Sequence, residues 1–375
     1  MSNKINACAW HNQQSGKASR ALSRLQLRTA LLRLALVVWV SALLLLTSSV
    51  VAAEEESSKG YQLGRGYAIG NTGIRLGGYA SVHLESLGDV PWSLNVSDAS
   101  LFVAWDNGSR LRFFSELEVE DSLGAGQQYR GVTTSKADFL IERLYLDYLV
   151  NDNLTVRIGK ILTPVGQWNL IHADPLVWTA TRPVATDNLF SEHVSGIMLH
   201  GTVPIGEQSL EYSVYGDYSS TLDPLRAEPP YFDNALGMHL RYNVNDNLKI
   251  GFSYVDFALQ GSANIRNHLA GLDIAWAYQR FAVNSEIVYR NNDAAVNNNA
   301  WQGYIQGVSP IAEHFYAVGR YEFFDQPNQQ FGQVGVLGIA YRPRPPLTLK
   351  LEYRLGQHNR DLAPDGLFAS FSVLF

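Results

Sequence analysis

The chain is poor in cysteine, poor in charge and, past its first fifty residues, free of long apolar runs. Its single cysteine is Cys8, so the rest of the sequence can form neither a disulfide nor a Cys-ligated metal site. Charged residues make up 17% of the chain, against roughly 25% in an ordinary soluble domain, which suits a molecule with a wide apolar surface. HExxH, GK[ST] and Gly-x-Ser-x-Gly motifs are absent. Gly64, Gly66 and Gly70 have no strand-turn-helix context, and the histidines are scattered. The sequence thus gives no reason to expect an enzyme, a cofactor or a metal. Nucleic acid is an equally poor partner. The six basic residues Lys4, Lys17, Arg20, Arg24, Arg28 and Arg33 all precede residue 54, and without them 23 basic residues of the 29 face 35 acidic ones, a formal charge of −12.

The one long apolar run is Leu31–Leu46, LLRLALVVWVSALLLL. Basic residues precede it, and TSSVVAA then EEE follow, the layout of a secretory signal peptide cut after Ala53. An N-terminal anchor is the rival reading, but the run is near the lower limit of about 17 residues for a spanning helix. The long basic region would also fit a start codon downstream of Met1. Residues 1–53 are therefore expected to be a cleaved signal, 54–71 a short periplasmic segment and 72–375 the folded body.

That body reads as strands. In Leu347–Leu355, Leu347, Leu349, Leu351, Tyr353 and Leu355 alternate with Thr348, Lys350, Glu352 and Arg354. A strand sends successive side chains to opposite faces, so one face can meet lipid and the other water. Leu248, Ile250, Phe252 and Tyr254 alternate in the same way, and His239 and Arg241 mark the polar face of Leu236–Tyr242. About sixteen such segments recur, near 72–86, 95–105, 110–120, 138–150, 154–162, 193–203, 208–219, 234–244, 247–259, 266–277, 281–290, 300–308, 314–324, 332–342, 347–357 and 366–375, with irregular facing in the fourth and twelfth. Short connections such as Asp106–Ser109 and Asn151–Asn153 alternate with long ones such as 121–137, 163–192 and 220–233. Alternating facing and alternating loop length together predict an all-β, antiparallel transmembrane barrel with long extracellular loops. Leu351→Arg is expected to impair its assembly and Glu352→Gln to be tolerated. Tyr145, Tyr148, Tyr242, Tyr254, Trp276, Tyr278, Tyr289, Tyr321, Tyr341 and Tyr353, near strand ends, are expected to form interfacial girdles.

The longest connection, 163–192, carries Trp168, Leu170, Leu176, Trp178 and Phe190, too apolar for a disordered tail. It is expected to fold inward as a constriction loop, the alternative being an outer loop packed on its neighbours. Its His172, Asp174, Arg182 and Asp187, with Trp168 and the neighbouring Arg157 and Lys160, are the candidate pore residues. Arg110, Arg112, Glu116, Glu118 and Glu120 share a face if their strand has no bulge, and Arg241, Arg320, Glu322, Lys350, Glu352 and Arg354 are further candidate lumen charges. Rings of such charges select ions. An acid–histidine pair at the rim, from His172 and Asp174 or from Asp187, Glu192 and His193, is the less favoured hydrolase reading.

Arg157-Ile-Gly-Lys-Ile-Leu-Thr-Pro-Val-Gly166, Gly319-Arg-Tyr-Glu-Phe-Phe-Asp325 and Leu349-Lys-Leu-Glu-Tyr-Arg354 resemble strands of porins similar to the phosphate-selective porin O/P group. The terminal Phe375 resembles the signal read by the outer-membrane barrel assembly machinery. The resemblance implies a water-filled channel in the Gram-negative outer membrane, embedded in lipid and lipopolysaccharide, homotrimeric, and passing small hydrophilic solutes or ions. Its architecture is carried over but not its phosphate specificity, whose series of basic residues is not matched here, so anions such as phosphate are one solute class among several. A plugged barrel acting as a binding or structural protein is the alternative.

Overall fold

A computed structural model describes residues 61–88, 91–126, 132–134, 137–171, 173–217, 231–261, 265–293, 299–327 and 330–375. The expected signal segment, residues 54–60 and the candidate His172 lie outside the described residues. Sixteen strands form a closed antiparallel ring. They are β1 (Ile74–Leu87), β2 (Ser93–Asp106), β3 (Leu111–Gly126), β4 (Asp138–Asn151), β5 (Leu154–Leu162), β6 (His193–Ile205), β7 (Gln208–Asp217) and β8 (Phe232–Asn245). The ring continues with β9 (Leu248–Leu259), β10 (Arg266–Tyr278), β11 (Phe281–Asn292), β12 (Ala300–Pro310), β13 (Phe315–Asp325), β14 (Gly332–Arg344), β15 (Leu347–Gln357) and β16 (Gly366–Leu374). Each strand pairs with its neighbours in sequence, and β16 closes on β1 from Gly366 opposite Leu87 to Leu374 opposite Tyr79. Phe375 extends this seam, its N–H donating to Gly78 O at 2.8 Å and its carbonyl accepting from Gly78 N at 2.9 Å. Before β1, Tyr61–Gln62 and Gly66–Ala68 form a small hairpin laid against the start of that strand. No described helix is long and apolar enough to cross a membrane.

The strands reverse tightly at one end of the barrel and through long loops at the other, as the alternating connections predict. The tight turns are built by local chemistry. Asn151 Oδ1 accepts from Asn153 N at 2.9 Å, and Asn245 Oδ1 accepts from Asn247 N and Leu248 N at 2.9 and 3.0 Å. Such Asx turns are why asparagine recurs at these positions.

The distribution of polarity is the reverse of a soluble protein's. Tyr353 and Leu355 are 49% and 58% exposed on the outer face, while Glu352 and Arg354 between them are 2% and 7% exposed inside. The same inversion runs round the ring: Ile250, Leu272, Ile305 and Leu337 face out, while Asp273, Glu286, Gln302 and Arg320 are buried inside. Most of the expected girdle tyrosines are outward, Tyr148, Tyr254, Tyr278, Tyr321 and Tyr353 among them. Tyr145 is the correction. It stacks on Phe114 with ring centroids 5.4 Å apart and lies under the Arg157 guanidinium at 3.8 Å, on the side of the wall that carries Asp147, Arg157 and Glu116.

The third and fourth strands depart from simple alternation. β3 runs six residues past the expected end at Glu120, through Asp121 in the left-handed region (φ 45°). The facing from Arg112 to Glu120 survives because this irregularity comes after it. On β4, Glu142 is the extra residue where the register slips between Glu116 and Leu117. A bulge re-aims the side chains around it, which is why facing in this segment is illegible from alternation.

Leu337, 75% exposed, and Leu351 project from the outer face. Leu337→Arg or Leu351→Arg should each cost about 2–4 kcal/mol near the bilayer midplane. Urea titration in lipid vesicles, read by heat-modifiable mobility, should show a lower midpoint than for Glu313→Gln in a tight turn. Equal midpoints would overturn the assignment of faces.

Candidate pore and its constriction loop

Residues 163–192 leave β5 and return to β6 by folding into the barrel. The neck is closed by Thr163 N donating to Glu192 O (2.8 Å), Thr163 Oγ1 to Ser191 O (2.6 Å), and Asn169 Nδ2 to both Thr163 O and Glu192 O (2.9 and 3.0 Å). Arg182 ties the far part of the loop to this neck, donating to Asn169 Oδ1 at 2.7 Å and Glu192 Oε1 at 2.6 Å. Apolar side chains follow the same course. Val165, Leu189 and Phe190 pack into a cluster with Phe232, Val255 and Phe257, while Trp168, Val177 and Ala185 pack with Tyr304. Burying each large side chain contributes about 1.5–3 kcal/mol.

A loop inside a barrel carries backbone polar groups away from bulk water, and each needs a partner. Lumen charges of β8–β15 supply many of them. Carboxylates accept loop N–H groups: Glu286 from Gln167 and Trp168 (3.2 and 2.8 Å), Glu322 from Val184 (2.7 Å), and Glu352 from Ala180 and Thr181 (3.0 and 2.9 Å) as well as the Thr181 hydroxyl. Cations donate to loop carbonyls: Lys350 to Asp174 O and Thr179 O (2.7 and 3.1 Å), Arg320 to Thr181 O (2.8 Å), and Arg342 to Val177 O (2.7 Å). A left-handed glycine makes one of these contacts possible. Gly166 (φ +63°) turns the chain so close to Glu286 that a Cβ there would lie 1.9 Å from its Oε2.

Lys350 also pairs with the Asp174 carboxylate at 2.7 Å, and His83 stands 3.2 Å from the same oxygen. Burial alone would push the Asp174 carboxyl up, but the charges of Lys350 and His83 outweigh it and hold the group well below the usual carboxylate range. Because the folded value lies below the unfolded one, near about 3.9, the pair's contribution is complete above that pH and is lost only as pH falls through the lower folded value.

The candidate residues fall into three groups. Trp168, Asp174, Arg182, Lys350, Glu352, Arg320 and Glu322 meet in the loop and beneath it, and Arg241 reaches the loop's start at Gly166 O (3.5 Å). Glu116, Glu118 and Arg157 do not join that contact, and Asp187 reaches only its edge, 4.0 Å from Arg182. Glu116 pairs with Arg143 at 2.5 Å and Arg157 with Asp147 at 2.6 Å, both on the opposite wall, Glu118 faces the loop from there, and Asp187 is largely exposed on the loop. Lys160 is buried on β5. The third group lies near the ends of the barrel. Arg110 is in the β2–β3 turn, Arg112 pairs with Asp106 beside it at 2.9 Å, and Arg354 donates to Pro364 O in the last long loop at 2.8 Å.

Three contributors escape the candidate set. Glu286 sits on the polar phase of a regular strand, so alternation could have found it, whereas Arg342 follows the apolar inward residues Val334, Val336 and Ala340 and lies at a register shift between Tyr341 and Arg344, where alternation gives no signal. Glu142 sits on the bulge, where alternation fails. It accepts or shares a proton with His193 Nε2 at 2.8 Å. Glu142, Glu192 and His193 bring ligand-type atoms within 4.8 Å of one another, but Arg182 already occupies Glu192, which disfavours a cation there.

Between the loop and the β1–β4 wall lies a cavity of about 280 Å³, bounded by Tyr79, Asp98, Glu118, Glu120 and Glu142 on the wall and by Thr179–Arg182, Asp187 and Glu192 on the loop. No protein-family model matches the chain. An uncharacterized protein of Aquifex aeolicus (strain VF5) is 26% identical over 353 aligned residues, covering 79% of this chain and 77% of its own. Among solved structures, the anion-selective porin from Comamonas acidovorans is similar at 15% identity and a TM-score of 0.56, covering 80% of this chain and 99% of that one. The outer membrane channel DcaP of Acinetobacter baumannii matches at 12% identity and 0.56, over 80% and 97%. The chain has the fold of a sixteen-stranded porin.

Glu352 is thus an anchor of the loop, a role separate from the barrel assembly that Glu352→Gln is expected to leave intact. Glu352→Gln should leave the barrel heat-modifiable but expose residues 163–192 to added protease. Lys350→Met, which leaves Asp174 buried beside His83 without its ammonium, should do so more strongly, since breaking a buried pair costs about 3–5 kcal/mol. Full protection of the loop in both variants would refute the anchoring role.

Proposed function

We propose that this protein is an outer-membrane porin, exported by a cleaved signal peptide within residues 1–53, through which small hydrophilic solutes or ions diffuse. The observation that carries this reading is the combination of a closed barrel with an apolar outer face and a charged lumen that is narrowed, on one side, by an inward loop. An outer face of this kind needs lipid, and a lumen lined by ionised groups needs water. Insertion through the barrel assembly machinery, with Phe375 as its signal, contact with lipopolysaccharide, and a homotrimer complete the proposal. They rest on the resemblance to outer-membrane porins.

Anions such as phosphate are one candidate class of solute. Against that finer reading stands the position of the basic groups. Lys350, Arg320 and Arg342 lie beneath the loop with their donors turned to its carbonyls, instead of along an open path. An enzyme is a weaker reading. The ring of His193 is buried and engaged by the carboxylate Glu142 at 2.8 Å, away from an open surface.

The refolded mature chain should give discrete single-channel steps in planar bilayers. Glu352→Gln should raise the step size or its fluctuation, as the loop loosens. Absence of current from a folded, heat-modifiable barrel would instead favour a plugged barrel that binds at its loops.

A further inference from the structure

Four aromatic side chains stand on the inner face of four consecutive strands: Tyr79 on β1, Phe102 on β2, Phe114 on β3 and Tyr145 on β4. Each ring meets the next, with centroids 5.8, 5.7 and 5.4 Å apart. Register fixes their facing. Phe102 lies opposite the buried Glu116, Phe114 is one pleat from Glu116 on the same strand, and Tyr145 lies opposite Phe114. Their sequence neighbours Leu101 and Leu146 are exposed on the lipid side. Elsewhere, large inward rings such as Phe257 and Tyr304 are buried where the constriction loop packs on them, whereas Phe102, Phe114 and Tyr145 keep part of their surface exposed.

The row has a direction. Tyr79 lines the cavity between the loop and the wall. It lies opposite Ser100, and Phe102 is one pleat nearer the tight turn at Asp106–Ser109. Phe114 lies opposite Ala104, one pleat nearer again. The rings thus lead from the constriction toward the tight-turn end of the barrel. The charges along them are closed pairs. Arg143 gives its Nε–H to Glu116 at 2.5 Å and lies 4.8 Å from the Phe114 centroid. Arg157 donates to both oxygens of Asp147, at 2.6 and 2.8 Å, and lies 3.8 Å from the Tyr145 centroid. A guanidinium has five N–H groups, and these pairings take one on Arg143 and two on Arg157. The residues opposite Phe102 on β1 and opposite Tyr145 on β5 are Gly77 and Gly159, so no side chain crowds those rings from these positions.

We propose that this row is a binding path for neutral sugars, with pyranose rings resting on Phe102, Phe114 and Tyr145 and their hydroxyls meeting Arg143, Arg157 and the paired carboxylates. The inference rests on the reading of the barrel as a conducting pore. A pyranose has a face of C–H groups and a rim of hydroxyls that both donate and accept. It therefore gains from a flat apolar surface flanked by hydrogen-bonding groups held in place. Other solutes gain less. An ion meets pairs whose charges already cancel at hydrogen-bond distance. An anion gains nothing from ring faces, and a cation meets guanidinium groups already stacked on them. A wholly apolar solute would strip water from the pairs and return no hydrogen bond.

The test is the block of single-channel current by maltotriose, a neutral oligosaccharide, in planar bilayers holding the refolded full chain. Maltotriose should lower the current along a saturating curve, while polyethylene glycol of equal mass lowers it only in proportion to its concentration. The double variant Phe102→Leu, Phe114→Leu keeps apolar bulk and removes two ring faces. It should raise the half-blocking concentration by about fivefold while discrete steps persist. Tyr145→Leu should act in the same direction, and Tyr145→Phe, which keeps the ring, should not. Phe113→Leu, on the lipid side of the same strand, should leave the block unchanged. A maltotriose effect no different from that of polyethylene glycol, or equal block in the folded ring variants, overturns the sugar path. Silence of the folded unaltered barrel overturns the pore reading instead. The rings are then tested by calorimetric titration of maltotriose into the barrel in detergent, where binding that the double variant lacks upholds the site and absence of binding refutes it.

Discussion

Everything in this structure depends on the closure of one hydrogen-bond ladder. Hydrocarbon offers backbone groups no partner, so a chain crosses it only as a helix or as a barrel with no open edge. Here the seam between β16 and β1 provides the closure, and Phe375 carries it to the last residue by exchanging two backbone bonds with Gly78. Once the ring is closed, the pleat decides the rest. Each outward position must be apolar and each inward one is free to be charged, which is why the molecule wears its leucines outside and its carboxylates within.

The same constraint reappears, in reverse, inside the lumen. The constriction loop has almost no secondary structure of its own beyond the single helical turn Trp168–Ile171 and a shorter turn at Val184–Thr186. Its N–H and C=O groups therefore need partners from elsewhere. Glu286 and Glu352 act toward it as caps act toward a helix, each accepting from two consecutive N–H groups, and Glu322 accepts from Val184, while Lys350, Arg320 and Arg342 serve its carbonyls. A loop satisfied by ionised side chains is held by charge-assisted bonds, which are stronger than neutral ones. That explains how a segment of thirty residues with two prolines at Pro164 and Pro175 and a third at Pro183 keeps a defined course.

Much of this was legible in the sequence, for a mechanical reason. Alternation with period two and the rhythm of short and long connections are direct consequences of strand geometry in lipid, so all sixteen strands can be located from residue type, Leu347–Gln357 to the residue. Legibility fails where the pleat fails. Glu142 sits on a bulge, and β3 outruns its expected end through the left-handed Asp121. It fails again where the partner is distant: Glu352 and Thr181 meet across 171 positions of sequence, and nothing in either segment announces the other. Glu352 therefore reads from sequence as a solvated lumen charge, although it anchors the loop.

That difference bears on how any such pore is to be understood. A solute does not meet the sum of the charges that face inward. It meets those left uncovered after the loop has taken its partners, because a charge already matched at hydrogen-bond distance contributes little field beyond its own pair. In this barrel the loop lies on the wall that carries Lys350, Arg320 and Arg342, and a cavity separates it from the wall that carries Glu118 and Glu120. Composition assigns both sets to one lumen. The course of a single loop separates them, and it does so through backbone hydrogen bonds that carry no net charge on the loop's side.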